Sequence, residues 1–187
     1  MNVAPIHTTR FELVSMSLPF MRLLLARDLA AAETEIGASV PPDLPDRLDE
    51  FLQFRIADVE AEPAVAAWLG RAIVVTEADG LRRIVGSVGF HAPPDADGRV
   101  EVGYHTEPRD QRTGIASEAV GALFDWATER GARQFRAAVA PDNEASLAVV
   151  ARLGFRRADV QLDDLGGPEI IFDLDRWPVE RTGAVTS

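Results

Sequence analysis

The sequence predicts a mixed α/β (α+β) fold, a single domain with a mainly antiparallel central sheet flanked by helices. Three observations carry this expectation. Residues 18–61 hold apolar side chains at helical spacing, residues 72–106 alternate in polarity between turn residues, and beyond residue 114 helical and strand-like segments follow one another. With 187 residues and 47% hydrophobic content, the chain can bury one sizeable core. The domain is assigned to residues 1–177. Residues 178–187 offer few apolar groups to dock and are expected to be a loosely held tail.

Phe11 to Val14 alternates as a strand, and Leu18 to Ala32 reads as one helix, with Leu25 and Leu29 four apart. The prolines of Val40 to Pro45 cannot continue it, since each fixes φ and removes a donor. Asp46 then stands where it can cap a second helix through about Ala61, which Pro63 closes. Ala72 to Thr76 and Ile84 to Phe90 form a hairpin across Glu77 to Gly80, and the strand from Val100 completes an antiparallel meander. Helix 114–130 places Ile115, Ala119, Leu123 and Trp126 on one face and ends at Gly131. Strand 135–140, helix 143–153, strand 155–161 and strand 169–174 follow, the last after the turn Gly166 to Pro168.

Composition removes several functions. The chain has no Cys, so disulfides, thiolate nucleophiles and Cys-ligated metals are absent, and three scattered His residues make no metal site. It has no Lys, which excludes the Walker phosphate loop. A net charge of −11 argues against a nucleic-acid partner and suits a cationic or neutral one. No apolar run approaches the roughly 20 residues that span a bilayer. The N-terminus lacks the pattern of a signal peptide, so no membrane association is expected and the cytoplasm is the default location.

The stretch Gln111-Arg112-Thr113-Gly114-Ile115-Ala116, between a strand and an amphipathic helix, reads as an anion cradle. A tight Gly-containing turn that opens a helix leaves backbone N–H groups unpaired at the positive end of the helix dipole. The form Gln/Arg-x-x-Gly-x-Gly/Ala in this setting resembles the coenzyme A signature of the GCN5-related N-acetyltransferases (GNAT). A second motif some thirty residues on, Pro141 to Ser146 followed by Leu147 to Leu153 and Gly154-Phe155, has the order found in that family. The resemblance covers residues 72–174 well and 10–70 loosely, and its nearest branch is the ribosomal-protein alanine acetyltransferase type.

That resemblance implies a sheet splayed between the strands containing Glu101 to Thr106 and Phe135 to Ala140, with the cofactor's pantetheine arm in the cleft. It implies a cofactor-binding core over about 72–174 and a helical acceptor-side segment over about 17–70. It gives acetyl-CoA as acetyl donor, bound at Gln111, Arg112, Thr113, Gly114, Ile115, Ala116 and Ser117, with backbone N–H groups of 112–117 on the pyrophosphate. Arg112 stands where glycine is frequent. Asn143 is implied as a contact to the cofactor arm, and its local reading is a helix N-cap. Ser146 is implied as an acid to the leaving thiolate, against a local reading in which it satisfies nearby backbone. Many family members carry a Tyr where this chain has Val150, and Tyr104, the only Tyr, reads as a packed strand residue.

Transfer to an amine requires a proton acceptor, and Glu101 and Glu107 are the first candidates, with His91 and His105 as substitutes. Trp68 is a candidate wall for the acceptor pocket. The expected function is N-acetyl transfer to a primary amine, a protein N-terminus or a small amine, by direct attack in a ternary complex. The rivals are a non-catalytic acyl-CoA-binding module and a polyamine or aminoglycoside acetyltransferase. Acceptor and oligomeric state stay open, a homodimer included.

Overall fold

The computed structural model describes residues 3–162 and 167–178. A sheet of eight strands forms its centre, in the order β1-β2-β3-β4-β5-β6-β8-β7. The strands are β1 (Ile6–His7), β2 (Phe11–Ser15), β3 (Arg71–Thr76), β4 (Arg82–Phe90), β5 (Arg99–Thr106), β6 (Gln134–Val139), β7 (Arg156–Leu162) and β8 (Pro168–Leu174). Neighbours pair antiparallel except β5 and β6, which are parallel. The expected meander is β3, β4 and β5. The tail beyond Pro178, Met1, Asn2 and Gly166 of the expected final turn lie outside the described residues.

Alternation along the strands divides the core in two. Ile73, Val85, Val88, Val100 and Val102 face α5 (Ile115–Thr128), whereas Ala72, Val74 and Ile84 face the helices of the first third. On the α5 side, Phe124 stacks on Phe135 at 4.0 Å between ring centroids, and Trp68 meets Trp126 edge-on at 4.9 Å. Trp68 therefore belongs to the aromatic core cluster. Gly86 is required by close approach, because a Cβ there would run into the backbone oxygen of His105 on β5.

Two expectations about the helices are corrected. The helix expected over Leu18 to Ala32 is two helices, α1 (Leu18–Leu25) and α2 (Leu29–Ile36). Arg27 between them takes φ 57°, and the Asp28 side chain caps α2 by accepting from the Ala31 N–H at 3.1 Å. The apolar periodicity hides the break because both helices bury residues, Leu24 and Ala32, in one cluster. Nor does Asp46 cap the helix that follows. Pro45 nucleates a short α3 (Leu44–Arg47), Asp46 falls inside it and pairs with Arg27 at 2.6 Å, and α4 (Asp49–Ala61) starts after Leu48 with no side-chain cap.

The feature that positions the site is the parting of β5 and β6. They pair only over Arg99–Glu101 and Gln134–Arg136. Beyond that, β5 stays with β4 to Thr106 and β6 stays with β8 to Val139, leaving a V-shaped gap in the sheet. Helix α5 is the crossover between these parallel strands, so its N-terminus sits at the open end of the gap.

Candidate active site

Several side-chain contacts fix the loop between β5 and α5. Asp110, buried in the short turn Pro108–Asp110, accepts from both Arg83 Nη1 at 2.7 Å and Nη2 at 2.8 Å. The Thr113 hydroxyl donates to the Asp110 carbonyl at 2.6 Å, and the Gln111 amide donates to the Thr106 carbonyl at 3.2 Å. Arg112 and Gly114 take φ 61° and 83°. Only the glycine adopts this conformation without cost, which explains on backbone grounds why a glycine also suits position 112. Gly114 is the N-cap and provides no side-chain acceptor, so the N–H groups of Ile115, Ala116 and Ser117 lie ahead of the first helical bond, Glu118 N–H to Gly114 C=O. A helix of 14 residues adds its dipole at that point.

A residue that no local pattern marks completes the loop. Arg10, in the turn between β1 and β2, donates through Nη1 to the Thr113 carbonyl at 3.0 Å and through Nε to Glu118 at 2.6 Å. In a trans peptide the C=O and the following N–H point opposite ways, so holding the Thr113 carbonyl toward Arg10 turns the Gly114 N–H the other way. Arg10 also neutralises Glu118, whose charge in the first turn of α5 would oppose an anion. Burial pushes the Glu118 carboxyl up, but its hydrogen bonds, chiefly from Arg10, outweigh this and leave it below the usual range.

A cavity of about 500 Å³ runs from the β5 end of the gap onto this loop. Tyr104 and Thr106 line it from β5, Gly114 and Ala116 from the cradle, Ser146 from α6 (Glu144–Arg152) and Asn143 from the N-cap of that helix. Asn143 caps α6 by accepting from the Ser146 N–H at 3.0 Å while still bordering the cavity, so the two roles expected of it are compatible. The Thr106 hydroxyl is buried and has no hydrogen-bond partner. Tyr104 packs on the core as expected, yet its hydroxyl reaches the cavity wall and donates to the Ser146 carbonyl at 3.2 Å. Burial raises its pKa, so the phenol keeps its proton. Val150, by contrast, is 1% exposed in the core.

The two glutamates lie apart from this lining. Glu101, at the closed end of the gap, has His91 Nδ1 3.4 Å away. Glu107 is buried and accepts from Arg47 Nη2 at 2.6 Å, while Arg47 also holds Asp43 at 3.0 Å. His105 lines the cavity with its Nε2 2.6 Å from Arg47 Nη1. A guanidinium only donates, so Nε2 is the acceptor and the neutral ring carries its proton on Nδ1. Burial first and Arg47 second push the imidazole down, outweighing the carboxylates of Glu107 and Asp43.

Of the predicted residues, Gln111, Arg112, Gly114, Ile115, Ala116, Ser117, Asn143 and Ser146 all meet at the cavity, and Thr113 borders its neighbour. Sequence reasoning missed Arg10, Arg47, Tyr104 and Thr106 as site residues. Arg10 and Arg47 reach it only through tertiary contacts with Thr113 and His105, 103 and 58 residues away in sequence. Alternation from Val102 did carry a signal for Tyr104 and Thr106, which share a face of β5. No helix among the described residues is long and apolar enough to cross a membrane.

A model of the acetyltransferase (GNAT) domain matches residues 23–156, and the chain belongs to that family. Its members use acetyl-CoA as acetyl donor, which fits a cradle of free N–H groups and small residues at the N-terminus of α5. The chain is 26% identical over 155 residues to the uncharacterized N-acetyltransferase YjdG of Bacillus subtilis, covering 80% of this chain and 88% of that protein. With the uncharacterized N-acetyltransferase YoaA of B. subtilis it shares 32% identity over 80 residues, spanning 42% of this chain and less than half, 45%, of that protein. The fold is similar to that of the ribosomal-protein-S5-alanine acetyltransferase from Vibrio fischeri (TM-score 0.59, 18% identity, 94% of this chain and 98% of that one). It is also similar to the microcin C7 self-immunity acetyltransferase MccE in complex with acetyl-CoA and AMP (TM-score 0.62, 19% identity, 90% and 93%).

Proposed function

We propose that this protein transfers acetyl from acetyl-CoA to a primary amine, a protein N-terminus or a small amine, by direct attack with both substrates bound. The observation that carries this reading is the cavity that runs from the C-terminal end of β5, past the N-terminus of α6, onto the N-terminus of α5. Backbone N–H groups of 112–117 hold the pyrophosphate, and Thr106 and Asn143 meet the arm. Tyr104, protonated and at the cavity wall, donates to the sulfur as it leaves, with Ser146 beside it. Glu101, whose neighbour is His91, is the candidate acceptor of the amine proton, because the carboxylate of Glu107 is committed to Arg47. Without Cys, no acyl-thioenzyme forms.

Of the acidic residues Asp43, Asp46, Asp49 and Glu50 ahead of the cofactor-binding core, Asp43 is paired with Arg47 and Asp46 with Arg27, while Asp49 accepts only from the neutral Gln53 amide. The test is incubation with acetyl-CoA and a mixed library of peptides, polyamines and aminoglycosides, with mass-spectrometric identification of the product. An acetylated amine is expected. Coenzyme A binding with no amine-dependent consumption of acetyl-CoA would establish the binding-module alternative.

A further inference from the structure

We propose that Arg112 and Arg152 form a second anion subsite that takes the ribose 3′-phosphate of coenzyme A and so selects it over its dephosphorylated form. This rests on the reading of residues 111–117 as the pyrophosphate cradle. The argument begins with charge. The chain carries 30 acidic and 19 basic residues, so most guanidinium groups are engaged by carboxylates. Among the described residues, only Arg112, Arg133, Arg152 and Arg157 make no side-chain hydrogen bond or ion pair within the protein. Two of these four stand at the same place.

That place is a seam between cavities. Beyond the cradle, the first cavity meets a second, of about 750 Å³, and the two share Arg112, Gly114, Ser117 and Arg152 in their walls. Arg112 comes from the loop ahead of α5 and Arg152 from the last turn of α6, so two elements converge on one opening with two free cations. The third arginine bordering the second cavity, Arg10, is already committed to Glu118 and the Thr113 carbonyl. Coenzyme A carries two anionic groups on one ribose, the 5′-pyrophosphate and the 3′-phosphate. If the N–H groups of the α5 N-terminus hold the first, the second must lie close to the cradle and outside the pantetheine cavity. The seam meets that requirement. A guanidinium matches a phosphate with paired N–H donors, which an ammonium does not.

The backbone allows the side chain to be tested apart from the loop. Arg112 holds φ 61°, a conformation that glycine adopts freely, so Arg112→Gly deletes the guanidinium and leaves the cradle in its shape. Arg152→Met removes the other charge from an exposed helix position. The measurement is calorimetric titration of the full chain with coenzyme A and with 3′-dephospho-coenzyme A, at low and high salt. The wild-type protein should bind coenzyme A about tenfold more tightly than the dephospho form, as expected for exposed charge-assisted pairs, with the preference shrinking in salt. Each variant should bring coenzyme A affinity toward the dephospho level and leave dephospho affinity unchanged. Arg157→Gln, on β7, should alter neither.

Equal wild-type affinity for the two ligands overturns the proposal and leaves the cradle intact. Variants that lose both ligands equally also overturn it, because the guanidinium groups then serve the pyrophosphate. Failure of the wild-type protein to bind either ligand overturns the cradle reading and the proposal with it.

Discussion

In the cradle, residues 111–117, the groups offered to a ligand are main-chain N–H donors, whereas the helical segment, residues 18–61, meets the sheet through side chains. Arg47 reaches Glu107 and His105, and Arg55 reaches the His91 carbonyl. A backbone site is local: a strand end, a left-handed glycine and a helix start suffice to build it. A side-chain site is assembled from partners far apart in the chain. A site assembled in the second way leaves no short motif, although the family model spans both regions, residues 23–156.

The sharpest break between the halves should come from Glu101. If it accepts the amine proton, Glu101→Gln should lower the amine-dependent rate by about 10²–10⁴-fold and leave coenzyme A affinity within error, as removal of a general base does. Full turnover in this variant moves the proton acceptor to His91, Glu107 or water. The reverse pattern belongs to the cradle. Gly114→Asp should weaken coenzyme A binding about a hundredfold or more, by adding negative charge where the phosphates sit and a Cβ where φ is 83°. Undiminished affinity in a folded variant would remove the pyrophosphate from this turn.

These contrasts also explain what was legible in the sequence. The strands were, because β-branched alternation and turn residues act locally, and so were the left-handed Gly114 turn that opens α5 and the Asn143 cap. The break at Arg27 was not, since one apolar stripe continues through both helices. Asp46 was misread because a carboxylate before a helical run looks like a cap whether or not a proline starts the helix earlier. The Arg10 clamp on Thr113 was invisible for a different reason: nothing in either neighbourhood encodes the other. Thr106 was overlooked because the lack of a partner is a property of the fold, not of the residue.

On the acceptor side, Arg47→Met should leave the buried Glu107 without its partner and cost about 3 kcal/mol of stability, read by chemical denaturation. It should also change the pH response. His105 is depressed in the folded protein, so the unfolded chain binds its proton first and wild-type stability declines as pH falls through about 6.5, the ordinary histidine value. Without Arg47, burial alone still opposes the carboxylates of Glu107 and Asp43, so His105 rises and this part of the decline should shrink. An unchanged slope would mean that burial alone sets the imidazole.

The smallest effect expected is in the donor half, at Thr106. Its hydroxyl is buried without a partner, a state that costs about 1–3 kcal/mol of lost hydration unless a ligand or water satisfies it. Valine has the same shape and suits a strand equally well. Thr106→Val should therefore leave the free protein as stable as before or more so, while coenzyme A affinity falls about three- to tenfold, the value of one hydrogen bond. The opposite signs are the point of the experiment. A merely structural hydroxyl would lower stability when removed, and an idle one would change neither quantity. Only a group held in reserve for the ligand can make the protein firmer and the complex weaker with the same substitution. If affinity holds while stability rises, the cofactor arm passes Thr106 without touching it, and the backbone of β5 must carry the contacts alone.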